Sequence, residues 1–186
     1  MNLTTSLWIL VAVAVVVVWI IVIFNSLVRR RNQTDEAWSD IDIQLRRRYD
    51  LIPNLVEAVK GYMAHERQTL EHITTARTIA MGAQSLPEKA QAENMLTDAL
   101  KSLFAVAENY PDLKASQNFL QLQDEISDTE NKIQAARRFY NANVRDFNTL
   151  LQSFPSNIVA RMFAFTQRAF FEIDEPAARK PVAVTF

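Results

Sequence analysis

The chain has 186 residues, with 20 Lys and Arg against 21 Asp and Glu, two histidines, two glycines and no cysteine. Without cysteine there is no disulfide framework, no thiolate nucleophile and no lipidated N-terminal cysteine. The isolated glycines Gly61 and Gly82 exclude a Gly-rich phosphate loop or a dinucleotide fingerprint, both of which need clustered glycines for close backbone approach.

Leu7 to Phe24 form an unbroken apolar run, LWILVAVAVVVVWIIVIF. As a helix these residues rise about 1.5 Å each, roughly 27 Å in all, and the residues to Val28 bring the length to that of a bilayer's hydrocarbon layer. Valine and isoleucine are weak helix formers in water, but in lipid a single segment satisfies its backbone only as a helix. A cleaved signal peptide is disfavoured, because no charged region precedes the run and the run exceeds the usual length of such a segment. Trp8 sits near one boundary, as interfacial aromatics do. Arg29, Arg30 and Arg31 follow the run and nothing ionisable but the amino terminus precedes it, so the positive-inside rule predicts the bulk of the chain in the cytoplasm. The absence of cysteine fits that reducing compartment.

About 155 residues remain beyond the triplet, enough for one domain with its own core. Removing Arg29, Arg30 and Arg31 from the 20 basic residues leaves 17 against 21 acids, a net charge of −4 that does not suggest nucleic acid as a partner. The spacing of Trp38, Ile41, Leu45, Tyr49, Ile52, Val56, Val59, Met63, Leu70 and Ile73 predicts a helix from Thr34 or Asp35, either of which can cap it, to about Gln84. Because the apolar phase survives Pro53, a kink is expected there rather than a break, while Glu66 falls on a core position and marks a weak layer. A second helix starts near Pro87 with Ser85 as cap and buries Met95, Ala99, Leu103, Val106 and Tyr110.

The clearest periodicity is Phe119, Ile126, Ile133, Tyr140, Phe147 and Phe154, one residue in every seven, with a companion row through Leu122, Thr129, Ala136, Val144 and Leu151. It predicts a helix from about Ser116 to Phe154, ended by Pro155, whose seam serves packing or oligomer contact. A last, shorter helix is expected after Pro155 with Ser156 as cap. Its aromatic flank, Phe163, Phe165, Phe170 and Phe171, is a candidate interface with another protomer or the membrane surface. The expected architecture is all-α: an N-terminal transmembrane helix, which can run straight into the first soluble helix and stand it away from the bilayer, followed by an elongated antiparallel bundle of about four helices. The divisions are a short outer N-terminus at 1–6, the membrane helix at 7–28, the bundle at 29–173 and an extended or disordered tail at 174–186.

Catalytic chemistry is hard to place. His65 and His72 are seven residues apart on the predicted helix, beside Glu66 and Glu71, but a zinc-protease pair needs a spacing of four. Arg46, Arg47 and Arg48 spread around a helix, about 100° apart, so they read as solvated and paired with neighbours such as Asp42 and Asp50. Glu130, Asn131 and Lys132 lie beside the long seam, where polar residues set helix register more often than they do chemistry. No catalytic residue, cofactor site or metal site is assigned.

Three segments carry a resemblance: RRYDLIPNLVEAVKGYMAHE at Arg47 to Glu66, AENMLTDALKSLFAVAENYPDLKA at Ala92 to Ala115, and TENKIQAARRFYNANVRDFNTLLQSFPSNIVARMFAF at Thr129 to Phe165. With the apolar run, they make the chain resemble the LemA family of bacterial membrane proteins over nearly its whole length. The resemblance implies one N-terminal transmembrane helix, a short external N-terminus and a cytoplasmic helical domain. It supplies no reaction and no catalytic residues, although a relative in magnetosome-forming bacteria is associated with membrane biogenesis. Glycine is common in the family where this chain has Ala164.

The sequence therefore predicts a non-enzymatic helical scaffold in the bacterial inner membrane. Its expected partners are the lipid bilayer, further copies of itself and an envelope protein. An adaptor for a membrane protease or other envelope enzyme is the alternative, and a metal-dependent enzyme using His65 and His72 the more remote one.

Overall fold

In the computed structural model, which describes residues 3–172, the apolar run and the first predicted soluble helix are one unbroken helix, α1, Leu3–Lys60. The expected start at Thr34 or Asp35 does not exist. Thr34 is buried in mid-helix, and its hydroxyl donates to the Arg30 carbonyl at 3.0 Å instead of accepting from the backbone of a new first turn. No glycine or proline lies between Phe24 and Trp38 to interrupt the helix. It also runs through Pro53, as the continuous apolar phase requires.

The expected continuation to Gln84 fails after Lys60. Gly61, a weak helix former, is followed by a turn in which the Tyr62 and Met63 amides both donate to the Val59 carbonyl, and a new helix, α2, spans Arg67–Gly82. Glu66 thereby leaves the predicted core layer and accepts a 3.1 Å bond from the Tyr110 hydroxyl. Helix α3, Leu86–Ala107, begins as its sequence states. Ser85 accepts from the Glu88 amide and Glu88 returns a bond to the Ser85 amide, a reciprocal capping box with Pro87 in the first turn. Its inner face is Ala92, Glu93, Leu96, Ala99, Leu100, Leu103 and Ala107. Met95, expected in the core, is exposed because the face is turned to take Glu93 inside, and Val106 and Tyr110 are half-buried. A single turn, α4, Pro111–Lys114, precedes the long α5, Gln117–Gln152, within two residues of the predicted ends. Helix α6 is Ser156–Met162. Among the described residues no strand occurs. The tail expected at 174–186 lies outside them.

The chain divides into two compact units. One comprises Met1–Ile41 and Ala136–Phe170. Its pairs Trp38 with Tyr140, Arg30 with Asp146, and Leu27 with Phe147 and Leu151 show α1 and α5 running antiparallel, with α6 closing the end. The other comprises Asp42–Ala135 with Phe171 and Glu172 among the described residues. In it the later part of α1, the first part of α5, and the hairpin of α2 packed on α3 form a helical bundle around Leu45, Ile52, Leu55, Ile73, Leu96, Leu103, Phe119 and Ile126.

Candidate functional site

The first feature is the anchor. From Leu7 to Val18 the large side chains of α1 are exposed on every side, Trp8 among them, and none of the most apolar stretch is covered by the rest of the chain. A helix that is apolar all round and uncovered has no stable place in water.

Where the run ends, contact begins. Leu27 is fully buried with Phe147, Leu151, Val159 and Ala160, and Ile20, Ile23, Phe24, Leu150 and Phe165 pack against that cluster. The Phe24 ring meets Phe163 at 4.7 Å and Phe165 at 5.9 Å between centroids, both in tilted or edge geometries that favour aromatic pairs. The basic triplet sits just beyond. Arg30 pairs with Asp146 at 3.7 Å, the Arg31 guanidinium lies 5.6 Å from the centre of the Phe165 ring, and Arg29 is exposed.

The aromatic flank does not continue as helix. Helix α6 stops at Met162 because Ala164 enters the left-handed region, at φ 54°, and a pair of bonds closes the end: the Ala164 amide to the Arg161 carbonyl and the Phe165 amide to the Ala160 carbonyl. The following segment is a non-helical strap. Asn148 donates to the Arg168 carbonyl and accepts from the Arg168 amide, each at 2.9 Å, Tyr140 donates to the Ala169 carbonyl at 3.0 Å, and the Arg168 side chain reaches Asp35 at 2.8 Å. Burial, and to a smaller extent the charge of Asp35, hold the Tyr140 hydroxyl above its ordinary pKa despite Arg168. Ser156 is not the cap of α6. It is buried and donates to the Leu150 and Ser153 carbonyls, fastening the end of α5, while Pro155 occupies the capping position.

The predicted site residues therefore separate. Phe119, Ile126, Ile133, Tyr140 and Phe147 are buried within their own chain, whereas Phe154 points outward. Phe165 is half-buried, Phe171 fully buried, and Phe163 and Phe170 exposed.

A polar cluster in the second unit escaped the sequence reading. Arg48, expected to be solvated, is 1% exposed. It forms ion pairs with Glu93 of α3 and Glu130 of α5 and donates to the Thr97 hydroxyl at 3.0 Å. Tyr49 donates to the other Glu93 oxygen, and burial, reinforced by the Glu93 charge, keeps that phenol protonated well beyond its ordinary range. Arg77 donates to the Tyr49 carbonyl at 2.7 Å. One guanidinium thus joins three helices, with Arg48 and Glu93 buried and Glu130 partly open to solvent. The only hint in the sequence was Glu130 beside the α5 seam. Arg46 and Arg47 behave as expected of surface residues, pairing with Asp42 and Asp128.

The histidine reading loses its geometry. His65 lies in the turn between α1 and α2 and His72 on the exposed side of α2, so the two do not share one helix face. Among the described residues no three His, Cys, Asp or Glu side chains converge as a metal site would need. Beside them, Val56, Lys60, Met63, Arg67, Leu70 and Thr74 help to line an open groove of about 660 Å³.

An uncovered apolar helix leading into a helical bundle defines a membrane-associated helical protein. The LemA family profile matches residues 37–186, and this chain belongs to the LemA family. It is 33% identical over 155 residues to Protein LemA of Metamycoplasma hominis, covering 81% of this chain and 69% of that protein. It is also similar to Magnetosome protein MamQ 2 of Paramagnetospirillum magneticum, at 23% identity, and to Magnetosome protein MamQ of Magnetospirillum gryphiswaldense, at 20%, each over 185 residues, 86% of this chain and 68% of theirs.

Proposed function

We propose that this protein is a non-enzymatic scaffold that crosses the bacterial inner membrane once, with its N-terminus outside and its helical domain in the cytoplasm, and that it self-associates in organising the membrane or envelope. The observation that carries the reading is the uncovered apolar surface of α1. The direction rests on Arg29, Arg30 and Arg31 following the run. A scaffolding role is supported by the way the polar side chains of the interior are used: Arg48, Glu93, Glu130 and Tyr49 bind one another, leaving no free acid, base or nucleophile among them. The similarity to the magnetosome proteins MamQ 2 and MamQ supports a membrane setting for the role.

The α5 seam packs inside its own chain, so copies meet through other surfaces, the anchor first among them. Small β-branched side chains such as Val15, Val16 and Val18 can bring two such helices together in lipid through van der Waals packing. The groove beside Met63 and Arg67 favours the second reading, an adaptor that holds a peptide segment of an envelope enzyme. Crosslinking in native membranes separates the two. A ladder of self-adducts is expected of the scaffold, one dominant foreign adduct of the adaptor, and a monomer in both membranes and mild detergent overturns self-association. A reporter active on one side of the bilayer, fused to the C-terminus, tests the orientation.

A further inference from the structure

The uncovered part of the apolar run is shorter than the hydrocarbon layer of a bilayer, and its last turn is shared with the domain. The part of the apolar run uncovered on every side, Leu7 to Trp19, rises about 20 Å, and Ile21 and Val22 keep one face exposed to about 24 Å, against a hydrocarbon layer of roughly 30 Å. The missing length is supplied by the turns carrying Ile20, Ile23 and Phe24, and these pack against Leu150, Leu151, Val159, Ala160, Phe163 and Phe165. If Phe24 lies in hydrocarbon, so does what touches it.

The surface at that end has the chemistry such a position requires. Phe154 is 80% exposed, Ile158 50%, Met162 61% and Phe163 48%. Ile158 and Met162 are four residues apart and share the outer face of α6, while Val159 and Ala160 face the cluster with Leu27. Large apolar side chains grouped at one end of a unit are costly in water. Basic groups surround them: Arg161 on α6, and Arg29 and Arg31 about 8 to 10 Å further along α1 than Phe24, at the height of the headgroups.

We propose that α6, with Phe154 and Phe163, is a second membrane-binding element, seated in the leaflet that α1 leaves, its apolar side chains reaching the acyl chains and Arg29, Arg31 and Arg161 meeting anionic phospholipid headgroups. This rests on the anchor crossing the bilayer, and it adds that the end of the domain is embedded beside it. The element fixes the height and rotation of the first unit on the membrane, which one helix alone leaves free.

The absence of cysteine makes the test direct. Full-length protein with one spin label, introduced as Val15→Cys, Phe139→Cys, Ile158→Cys or Met162→Cys, is reconstituted in vesicles of phosphatidylcholine and phosphatidylglycerol. Collision of each label with oxygen, which concentrates in lipid, is compared with collision with a neutral nickel chelate, which stays in water. Phe139 is the control, an exposed aromatic on α5 about 20 Å from the end of that helix. The logarithm of the oxygen-to-nickel ratio is expected to be positive at Val15, Ile158 and Met162 and negative at Phe139, and replacing phosphatidylglycerol by phosphatidylcholine should move Ile158 and Met162 toward the aqueous value. Labels at Ile158 and Met162 as aqueous as Phe139, with Val15 in lipid, overturn the element and leave the anchor standing. Labels there shielded from both reagents show a protein covering the face and overturn it as well. An aqueous Val15 overturns the anchor itself, and this proposal with it.

Discussion

The two units fasten the same pair of helices by opposite means. In the first, α1 and α5 meet through an apolar cluster, Leu27, Phe147, Leu151, Val159 and Ala160, finished by the rings of Phe24, Phe163 and Phe165. In the second, the same helices add a buried cation, Arg48, held between Glu93 and Glu130. Apolar contacts are indifferent to a slip of one turn so long as the stripes still face each other. An ion pair with hydrogen bonds to three helices is not, because a slip leaves charges buried without partners. The first unit is thus held chiefly by apolar area and the second by a buried charge that also sets register.

The largest effect should come from breaking the second device. Arg48→Met leaves two carboxylates facing an apolar side chain, and a loss of about 3–5 kcal/mol is expected in denaturant unfolding of the full chain in detergent, followed by helical circular dichroism. Adding Glu93→Leu and Glu130→Leu to that variant removes the unpaired charges and should return the stability to the parent value or above it. A triple variant as unstable as the single one would mean that the cluster acts through something other than charge pairing.

Leu151→Ala is the corresponding break in the apolar unit, and about 2–5 kcal/mol is expected, with no rescue by a polar partner. Crosslinks between cysteines placed at Arg47 and Asp128, whose side chains approach to 3.9 Å, report whether register persists, and they should weaken with Arg48→Met more than with Leu151→Ala.

Helix ends sharpen the contrast on a smaller scale. Ser85→Ala removes one half of the capping box of α3 and should cost about 1 kcal/mol in the same unfolding measurement. The Ser85 and Gln84 bonds also hold the Glu88 carboxyl below its ordinary pKa, Ser85 contributing most. A depressed acid stabilises the fold above the unfolded carboxyl range, near pH 4.3, and loses that contribution as pH falls through its folded value. Stability should therefore fall with acid more gently in Glu88→Gln than in the parent, read as Tm against pH. At the other end of the scale, Ala164→Gly relieves a left-handed alanine at the end of α6, offset partly by the greater freedom of glycine in the unfolded chain. A gain of about 0.5 kcal/mol is expected, read as a small rise in Tm.

Long, uniform signals were legible in the sequence. The apolar run defines an anchor because nothing in water can stabilise it, and the sevenfold spacing along α5 defines a helix within two residues of its ends. The α3 start was legible because Ser85, Pro87 and Glu88 are a local code, read from neighbours in the chain. Phe154 was misplaced because the sevenfold spacing continues past Gln152, where α5 itself ends. Met95 was misplaced because the face of α3 is set by Glu93, and an acid on an inner face has no apolar signature. Arg48 was the clearest loss: three consecutive arginines look alike until α3 and α5 bring carboxylates to one of them.

By itself, the sequence determined that this protein is helical, that it holds to a membrane through one end, and which rows of side chains face inward, since each follows from hydrophobicity and the period of the helix. Only the tertiary structure decided that Arg48 is interior, that Ala164 turns the chain, and that the surface of α6 shares its end of the unit with Phe24. Those outcomes depend on contacts between residues far apart in the chain, and the free energy of such contacts appears only when the helices have packed.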